Sequence, residues 1–426
     1  MKEDNNGELL NNEGSMSHRV MRGGMWVFGL NITCRLLSFV RIIVLARLLA
    51  PDDFGLFGIT MLALSVIETF SQPGIQNALI QKKDNTEEYL NTAWMIMMIR
   101  GVILFSILYI SAPFVASYFK TPPAATIIRV LAVAKLFAGF SNIAVVYFQK
   151  ELEFNKQFVY LLTITVFEVT VSILAAVILR NVWALVYGVI AGSISGLVLS
   201  YIIHPFRPKF VIDWKKAKEL FGFGKWLLWS EILLFLILQG DDLFVAKMLG
   251  ASVLGLYQMA YNIANLPTTD ITRMVTRVTF PAYSKIQDNI QRLKESYLRV
   301  VQLVAFLSFP LSGAIFILAH DFTKIFLGEK WLSIVPVLQV LVFAGLVRSI
   351  MATIGPVFLA AGKPRIDTKW QLIRLLVLIT LIYWFTVKWG MVGTAVAVVA
   401  SNVAATAGFF YDLIRVLKIT LIKLAK

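Results

Sequence analysis

Residues 44–57 read VLARLLAPDDFGLF, and residues 244–257 read FVAKMLGASVLGLY. At an offset of 200, Ala46-Arg47 matches Ala246-Lys247, Leu49 matches Leu249, Gly55-Leu56 matches Gly255-Leu256 and Phe57 matches Tyr257. The same register pairs Gly24 with Gly224 and Trp26 with Trp226. Further along the offset becomes 206, pairing Phe137-Ala138-Gly139 with Phe343-Ala344-Gly345 and Trp183 with Trp389. Matches that hold one register over distant segments mark a chain built from two related halves.

What is repeated is a set of apolar spans. Of 426 residues, 58% are hydrophobic and 15% charged, with a mean hydropathy of +0.75; ordinary soluble domains carry about 25% charged residues. A bilayer-crossing helix needs about 20 mostly apolar residues. That window gives six spans near 23–48, 54–80, 92–117, 124–148, 157–179 and 183–203, and six more near 221–248, 253–282, 297–319, 332–361, 368–387 and 390–413. Six is even, so both halves enter the membrane from the same side and the repeats are parallel. With the N-terminus inside, the inner segments hold 22 Lys and Arg and the outer loops 5, as the positive-inside rule asks. Much of the net charge of +15 is therefore a topology signal rather than a nucleic-acid patch. The expected fold is an all-α polytopic membrane protein of about twelve transmembrane helices in two parallel six-helix bundles around a central cavity. Residues 1–16 are polar, lack an apolar core and read as a flexible cytoplasmic tail rather than a signal peptide. Residues 17–204 form the first bundle, 205–220 a basic cytoplasmic linker and 221–426 the second bundle, with both termini cytoplasmic. One cysteine, Cys34, excludes an internal disulfide. With three histidines in the chain, no metal centre or cofactor is expected.

Thirteen bases lie in or at the edges of spans, against six acids: Glu68, Glu168, Glu231, Asp241, Asp242 and Asp270. A charge at the bilayer centre costs at least about 2.5–3.5 kcal/mol. Near span ends a long side chain snorkels to the headgroups, the reading given to Arg47, Lys225, Lys247, Arg299 and Arg374. Helical spacing groups the others. Asn31, Arg35 and Ser38 share a face of the first span, with Arg41 at its edge. Ser65, Glu68, Gln72 and Gln76 form a stripe on the second span. Gln258, Asn262, Asn265, Thr269, Arg273 and Thr276 repeat that stripe on the eighth. Interhelical hydrogen bonding explains single polar residues of this kind, but a stripe five turns long ending in arginine points to a cavity wall. Asn31, Arg35, Arg41, Gln72, Gln258, Asn262, Asn265, Arg273 and Arg277 are thus expected to line a cationic cavity. Arginine forks match phosphate oxygens, so the expected substrate is an anionic headgroup. Glu68, Asp241 and Asp242 are the expected ion-coupling or gating groups, with Glu68 the protonatable one. Asp241 occupies the repeat position of Arg41, and an Arg41–Asp241 pair across the axis is expected.

The runs VLARLLAPDDFGLFGIT at 44–60 and GDDLFVAKMLGASVLGLYQMAYNIANLP at 240–267 resemble the polysaccharide repeat-unit (Wzx-type) flippases of the multidrug/oligosaccharidyl-lipid/polysaccharide (MOP) superfamily. The likeness is closest to the branch exporting colanic acid and teichuronic acid. It implies a transporter, not an enzyme, in the bacterial inner (cytoplasmic) membrane. Its substrate would be a polyprenyl-diphosphate-linked oligosaccharide, moved to the outer leaflet by alternating access for capsule, exopolysaccharide, lipopolysaccharide or O-antigen synthesis. Implied with it are a coupling ion, H⁺ or Na⁺, contact with membrane lipids and with polysaccharide polymerase machinery, and a monomer. Some relatives carry two further C-terminal spans. The competing readings are a drug or cation exporter, which calls for an acidic cavity, and a membrane-embedded polymerase or ligase. The latter needs a large catalytic outer loop, whereas the longest here is about a dozen residues, 320–331 (HDFTKIFLGEKW), where His320 and Asp321 read as a solvated loop end. No Gly-Lys-Ser/Thr nucleotide loop is present.

Overall fold

The computed structural model describes residues 29–417 apart from 31, 73, 83–85 and 152, and the side chains of these apart from 221–230, 266–274 and 276–278. The described residues are helical and contain no strand. Seven helices are long and apolar enough to cross a bilayer, or eight when one pair bent by 71° counts as a span. The protein is therefore an all-α, multi-pass membrane protein. The chain divides into two compact units, residues 1–232 and 233–426.

The first unit runs α1 (32–48), α2 (Pro51–Phe70), α3 (Ile75–Gln81), α4 (Glu87–Tyr118), α5 (Ala124–Phe140), α6 (Val146–Lys150), α7 (Phe154–Leu179) and α8 (Trp183–Ile203), and takes in the start of α9 (Trp214–Met248). Local chemistry sets these boundaries. Pro51 opens α2, where its missing N–H is no loss, and the Asp53 carboxylate accepts the Ala50 N–H at 3.0 Å. The polarity is that of a bilayer protein: on α7, Val166, Phe167, Leu174, Val177 and Ile178 point outward, Ile178 being 79% exposed. Its inward face meets the small-residue stripe Gly188, Gly192, Gly196 of α8, where a Cβ on Gly188 would strike Ser172. In lipid such small-residue seams replace hydrophobic burial as the packing device. At a second seam, α4 and α5 touch backbone to backbone, because a Cβ on Gly101 would come within 2.9 Å of the Gly139 Cα.

Two spans of this unit are discontinuous. The second expected span breaks between α2 and α3, where Gly74 adopts φ 63°. The fourth breaks between α5 and α6. There Asn142, fully buried, donates its N–H to Ser200 Oγ at 2.9 Å and its amide to the Phe206 carbonyl at 2.8 Å, and accepts the Ala144 N–H at 3.0 Å. The bend is thus tied to the end of α8 and the linker. The linker itself is docked beside the start of α4. Asp213 caps α9 by accepting the Lys215 N–H at 2.9 Å. Lys216 pairs with Glu88 at 3.1 Å, and Glu219 accepts from Tyr89 Oη at 2.6 Å and Lys82 Nζ at 3.1 Å. Those bonds, Tyr89 first, hold the Glu219 carboxyl below the usual range. His204, at the same end, accepts the Phe206 N–H on Nδ1 at 3.2 Å and stacks on Tyr147. Burial, reinforced by Lys156, holds its imidazole below the ordinary value of 6.5.

The second unit contains the rest of α9, α10 (Ala251–Lys285), α11 (Ile290–Phe322), α12 (Val335–Met351), α13 (Gly355–Ala360) and α14 (Pro364–Leu417). Its apolar core joins Tyr283, Tyr297, Ile354, Phe358, Phe409 and Leu413. α14 is two arms of a hairpin: Gly390 has φ 59° and ψ −139°. Thr386 and Thr394 share a hydrogen bond at 2.8 Å, although eight residues of straight helix would hold them about 12 Å apart. Trp370 Nε1 on one arm donates to Asp412 on the other at 2.7 Å. This split is consistent with the two last expected spans and with twelve in all.

Candidate functional site

The break in the second span creates the first site. A helix end leaves carbonyls without intrahelical partners, and Arg100 of α4 supplies them. Its Nε donates to the Ser71 carbonyl at 3.0 Å, and its Nη2 to the Glu68 carbonyl at 3.3 Å and Gln72 Oε1 at 3.2 Å. From α5, Lys135 Nζ pairs with the Glu68 carboxylate at 2.5 Å. The Gly101–Gly139 contact brings these two cations to the same place. Arg100, Glu68, Gln72, Gln76, Asn77 and Met97 line a cavity of about 260 Å³. A second cavity, of about 350 Å³, shares Gln76, Met97 and Ala138 with it and continues along the bent α5–α6 segment past Ser141 and Phe148 to Gln149, Gln157 and Tyr160. One groove thus runs from Arg100 and Glu68 toward the loop between α6 and α7.

On the same unit Arg41 of α1 pairs directly with Glu168 of α7. Both side chains are partly exposed, at 22% and 30%. Arg41 therefore has a partner within its own unit.

The second unit holds a charge cluster of another kind. Asp241 is 3% exposed and accepts from Tyr257 Oη at 2.7 Å, while Asp242 accepts from Gln258 Nε2 at 3.0 Å. The Arg348 guanidinium lies 5.5 Å from the Tyr261 ring centre, a cation–π distance. Arg374, 5% exposed, sits in the field of Arg348, Tyr261 and Asp241. Asn265 donates to the Tyr261 carbonyl at 2.8 Å. Two carboxyls, two guanidiniums and two tyrosines are thus gathered in this unit.

The expected residues divide accordingly. Glu68 and Gln72 are at the groove, with Gln76 of the same stripe on the far side of a helix break that the spacing did not show. Glu68 is paired and, at 44% side-chain exposure, not sequestered. Gln258 and Asn265 are engaged inside the second unit, and Asn262 is exposed. Arg35 is partly exposed on α1. Asn31 lies outside the described residues, as do the side chains of Arg273 and Arg277. Asp241 is buried against Tyr257. Arg47, Lys247 and Arg299 are exposed, in keeping with snorkelling, but Arg374 is not: its face of α14 turns into the unit. Arg100, Lys135 and Glu168 are charges within spans to which helical spacing assigns no role. Their grouping depends on helices far apart in sequence, and only their mid-span position signalled it.

The chain is similar to several known proteins. It is 29% identical over 408 residues to an uncharacterized membrane protein in the cps region of Klebsiella pneumoniae, covering 93% of this chain and 83% of that one. It is 28% identical to the lipopolysaccharide biosynthesis protein WzxC of Escherichia coli K12, and 29% identical to the teichuronic acid biosynthesis protein TuaB of Bacillus subtilis 168, each over 84% of this chain and 74% of the relative. Among solved structures, the lipid II flippase MurJ in an inward closed conformation matches with a TM-score of 0.72 at 16% identity, over 94% of this chain and 91% of that one. An inward-facing multidrug resistance MATE family transporter of the MOP superfamily matches with a TM-score of 0.71 at 17% identity, over 91% and 96%. At such identities these two matches establish a shared fold. A family model for polysaccharide biosynthesis proteins matches residues 44–336, and the chain belongs to that family.

Proposed function

We propose that this protein translocates polyprenyl-diphosphate-linked oligosaccharide repeat units from the inner to the outer leaflet of the bacterial cytoplasmic membrane, for cell-surface polysaccharide synthesis. It works as a transporter by alternating access and carries out no covalent chemistry. The observation that carries the reading is the groove of the first unit, which Arg100 lines and beside which Lys135 pairs with Glu68 of its wall. Two cations against one anion leave a positive balance at a cavity open along its length, and guanidinium and ammonium groups are the natural partners of diphosphate oxygens. Family membership supports the same substrate class. Arg35 and Arg41 extend the cationic surface, and the coupling ion, H⁺ or Na⁺, acts through Glu68 or the Asp241–Asp242 pair. Both termini are cytoplasmic in this reading, and the linker basic residues lie at the inner leaflet.

Depletion in the source organism tests it: lipid-linked oligosaccharide accumulates on the inner leaflet and surface polymer falls. Charge reversal at Arg35 or Arg273 abolishes export with protein still in the membrane. Unchanged polymer after depletion rejects the reading. An exporter of organic cations instead predicts drug sensitivity on depletion with polymer intact.

A further inference from the structure

The groove of the first unit changes chemistry along its length. At one end are Arg100, Lys135 and Glu68. At the other no charged side chain lines the wall, which is built from Gln76, Ser141, Asn142, Gln149, Gln157 and Tyr160 over apolar Met97 and Phe148. Several amides in the spans are spent within the fold. Gln72, Asn142, Gln258, Asn265 and Gln339 all hydrogen-bond within the protein. The side chains of Gln76, Gln149 and Gln157 have no such partner among the described residues, and Tyr160 Oη spends only its proton, on the Gly196 carbonyl at 3.3 Å. Each amide offers two donors and an acceptor side by side, which is what vicinal hydroxyls on a sugar ring require. An apolar wall suits the ring's C–H face. The cavity volume, about 350 Å³, lies in the range of small-molecule sites, roughly 300–1,000 Å³.

We propose that this neutral end is a saccharide subsite. Gln76, Gln149, Gln157 and Tyr160 hold the sugar nearest the diphosphate while Arg100 and Lys135 hold the diphosphate itself. The inference rests on the function proposed above and adds to it: the protein reads the head of its cargo in two parts, charge by one set of residues and hydroxyl pattern by another. The order along the groove matches the cargo. The sugars project toward the cytoplasmic loop between α6 and α7, and the phosphates lie deeper, beside the two broken spans, the kind of place where transporters of repeated architecture bind substrate.

The test uses the full-length protein in lipid nanodiscs and two probes: undecaprenyl diphosphate, and undecaprenyl diphosphate bearing one hexose (glucose, galactose and their N-acetylamino forms in turn). The wild type binds at least one sugar-bearing probe about tenfold more tightly than the bare one, as one to two net hydrogen bonds provide. Gln149→Ala with Gln157→Ala removes that advantage and leaves affinity for the bare probe unchanged. Arg100→Ala weakens both probes alike. A double variant that keeps the sugar advantage, or a wild type that shows none, overturns the subsite while leaving the diphosphate site standing. A wild type that binds neither probe overturns the transport reading and the subsite with it. Thermal unfolding of each variant, matching wild type, separates lost binding from lost fold.

Discussion

The two units place charge at matching points of the repeat and reverse its sign. At the offset of 200 Arg41 falls on Asp241, and at 206 Glu168 falls on Arg374. In the first unit Arg41 and Glu168 pair directly between α1 and α7 and stay partly exposed. In the second unit Asp241 and Arg374 are almost fully buried, and Tyr257, Asp242, Gln258 and Arg348 close around them. The repeat has preserved opposite charges at these two positions, not which position carries which sign. The units part company at Lys135, whose counterpart at offset 206 is Leu341, a fully buried core residue. The first unit therefore keeps cations beside a cavity, whereas the second buries its charges together. The first is fitted for binding and the second for rigidity or for a tightly held switch.

Arg374→Ala gives the largest effect and the most direct way to break this contrast. Removing one partner from a buried ionic cluster costs about 3–5 kcal/mol, read as a lowered Tm in detergent or as loss of monodisperse protein. A variant of wild-type stability would mean that the second cluster is not the strut described. Gly101→Val comes next: the side chain drives α4 off α5 at the Gly139 contact, with an overpacking cost of about 1–3 kcal/mol and the export defect of separated cations. Lys135→Met sharpens the comparison from the other side. Its pair is partly exposed, so stability falls by no more than about 1 kcal/mol, yet surface-polymer export drops at least about tenfold; full export with lost stability would reverse the assignment of roles. The swap Arg41→Glu with Glu168→Arg, which installs the second unit's polarity in the first, recovers the stability that either single change loses, to within about 0.5 kcal/mol.

The smallest effect is a pH slope. The His204 imidazole is held below 6.5 in the fold. Its neutral form contributes full stability above 6.5, and that contribution is lost as pH falls from 6.5 through the depressed value, because the unfolded chain takes up the proton first. Unfolding measured from pH 7.5 to 5.5 shows this loss, and His204→Asn flattens it.

The spans were legible because twenty apolar residues in a row have few other uses, and the repeat because its matches keep register. The polar stripe of the second span was legible too, since helical spacing put Glu68, Gln72 and Gln76 on one line and the groove collects all three. The breaks were less so. Pro73-Gly74 marks one of them, but Ser141-Asn142, lacking glycine and proline, is a weaker signal. Its bend is held by Ser200 and Phe206, partners some sixty residues away that only the fold supplies. Arg374 was misjudged for a similar reason: distance from a helix end is visible in sequence, whereas the direction a face turns depends on neighbouring helices. The Arg100–Lys135 grouping draws on three helices and was beyond periodicity altogether.

The meeting of Gly101 and Gly139 has a mechanical consequence. Two backbones in direct contact leave no cushion of side chains through which one rod can slide or roll on its neighbour. α4 and α5 are thereby coupled into a single plank, and Arg100 and Lys135, one residue and one turn from the joint, ride on it together. Whatever swing exposes this half first to one face of the membrane and then to the other, the spacing between those two positive charges travels unchanged.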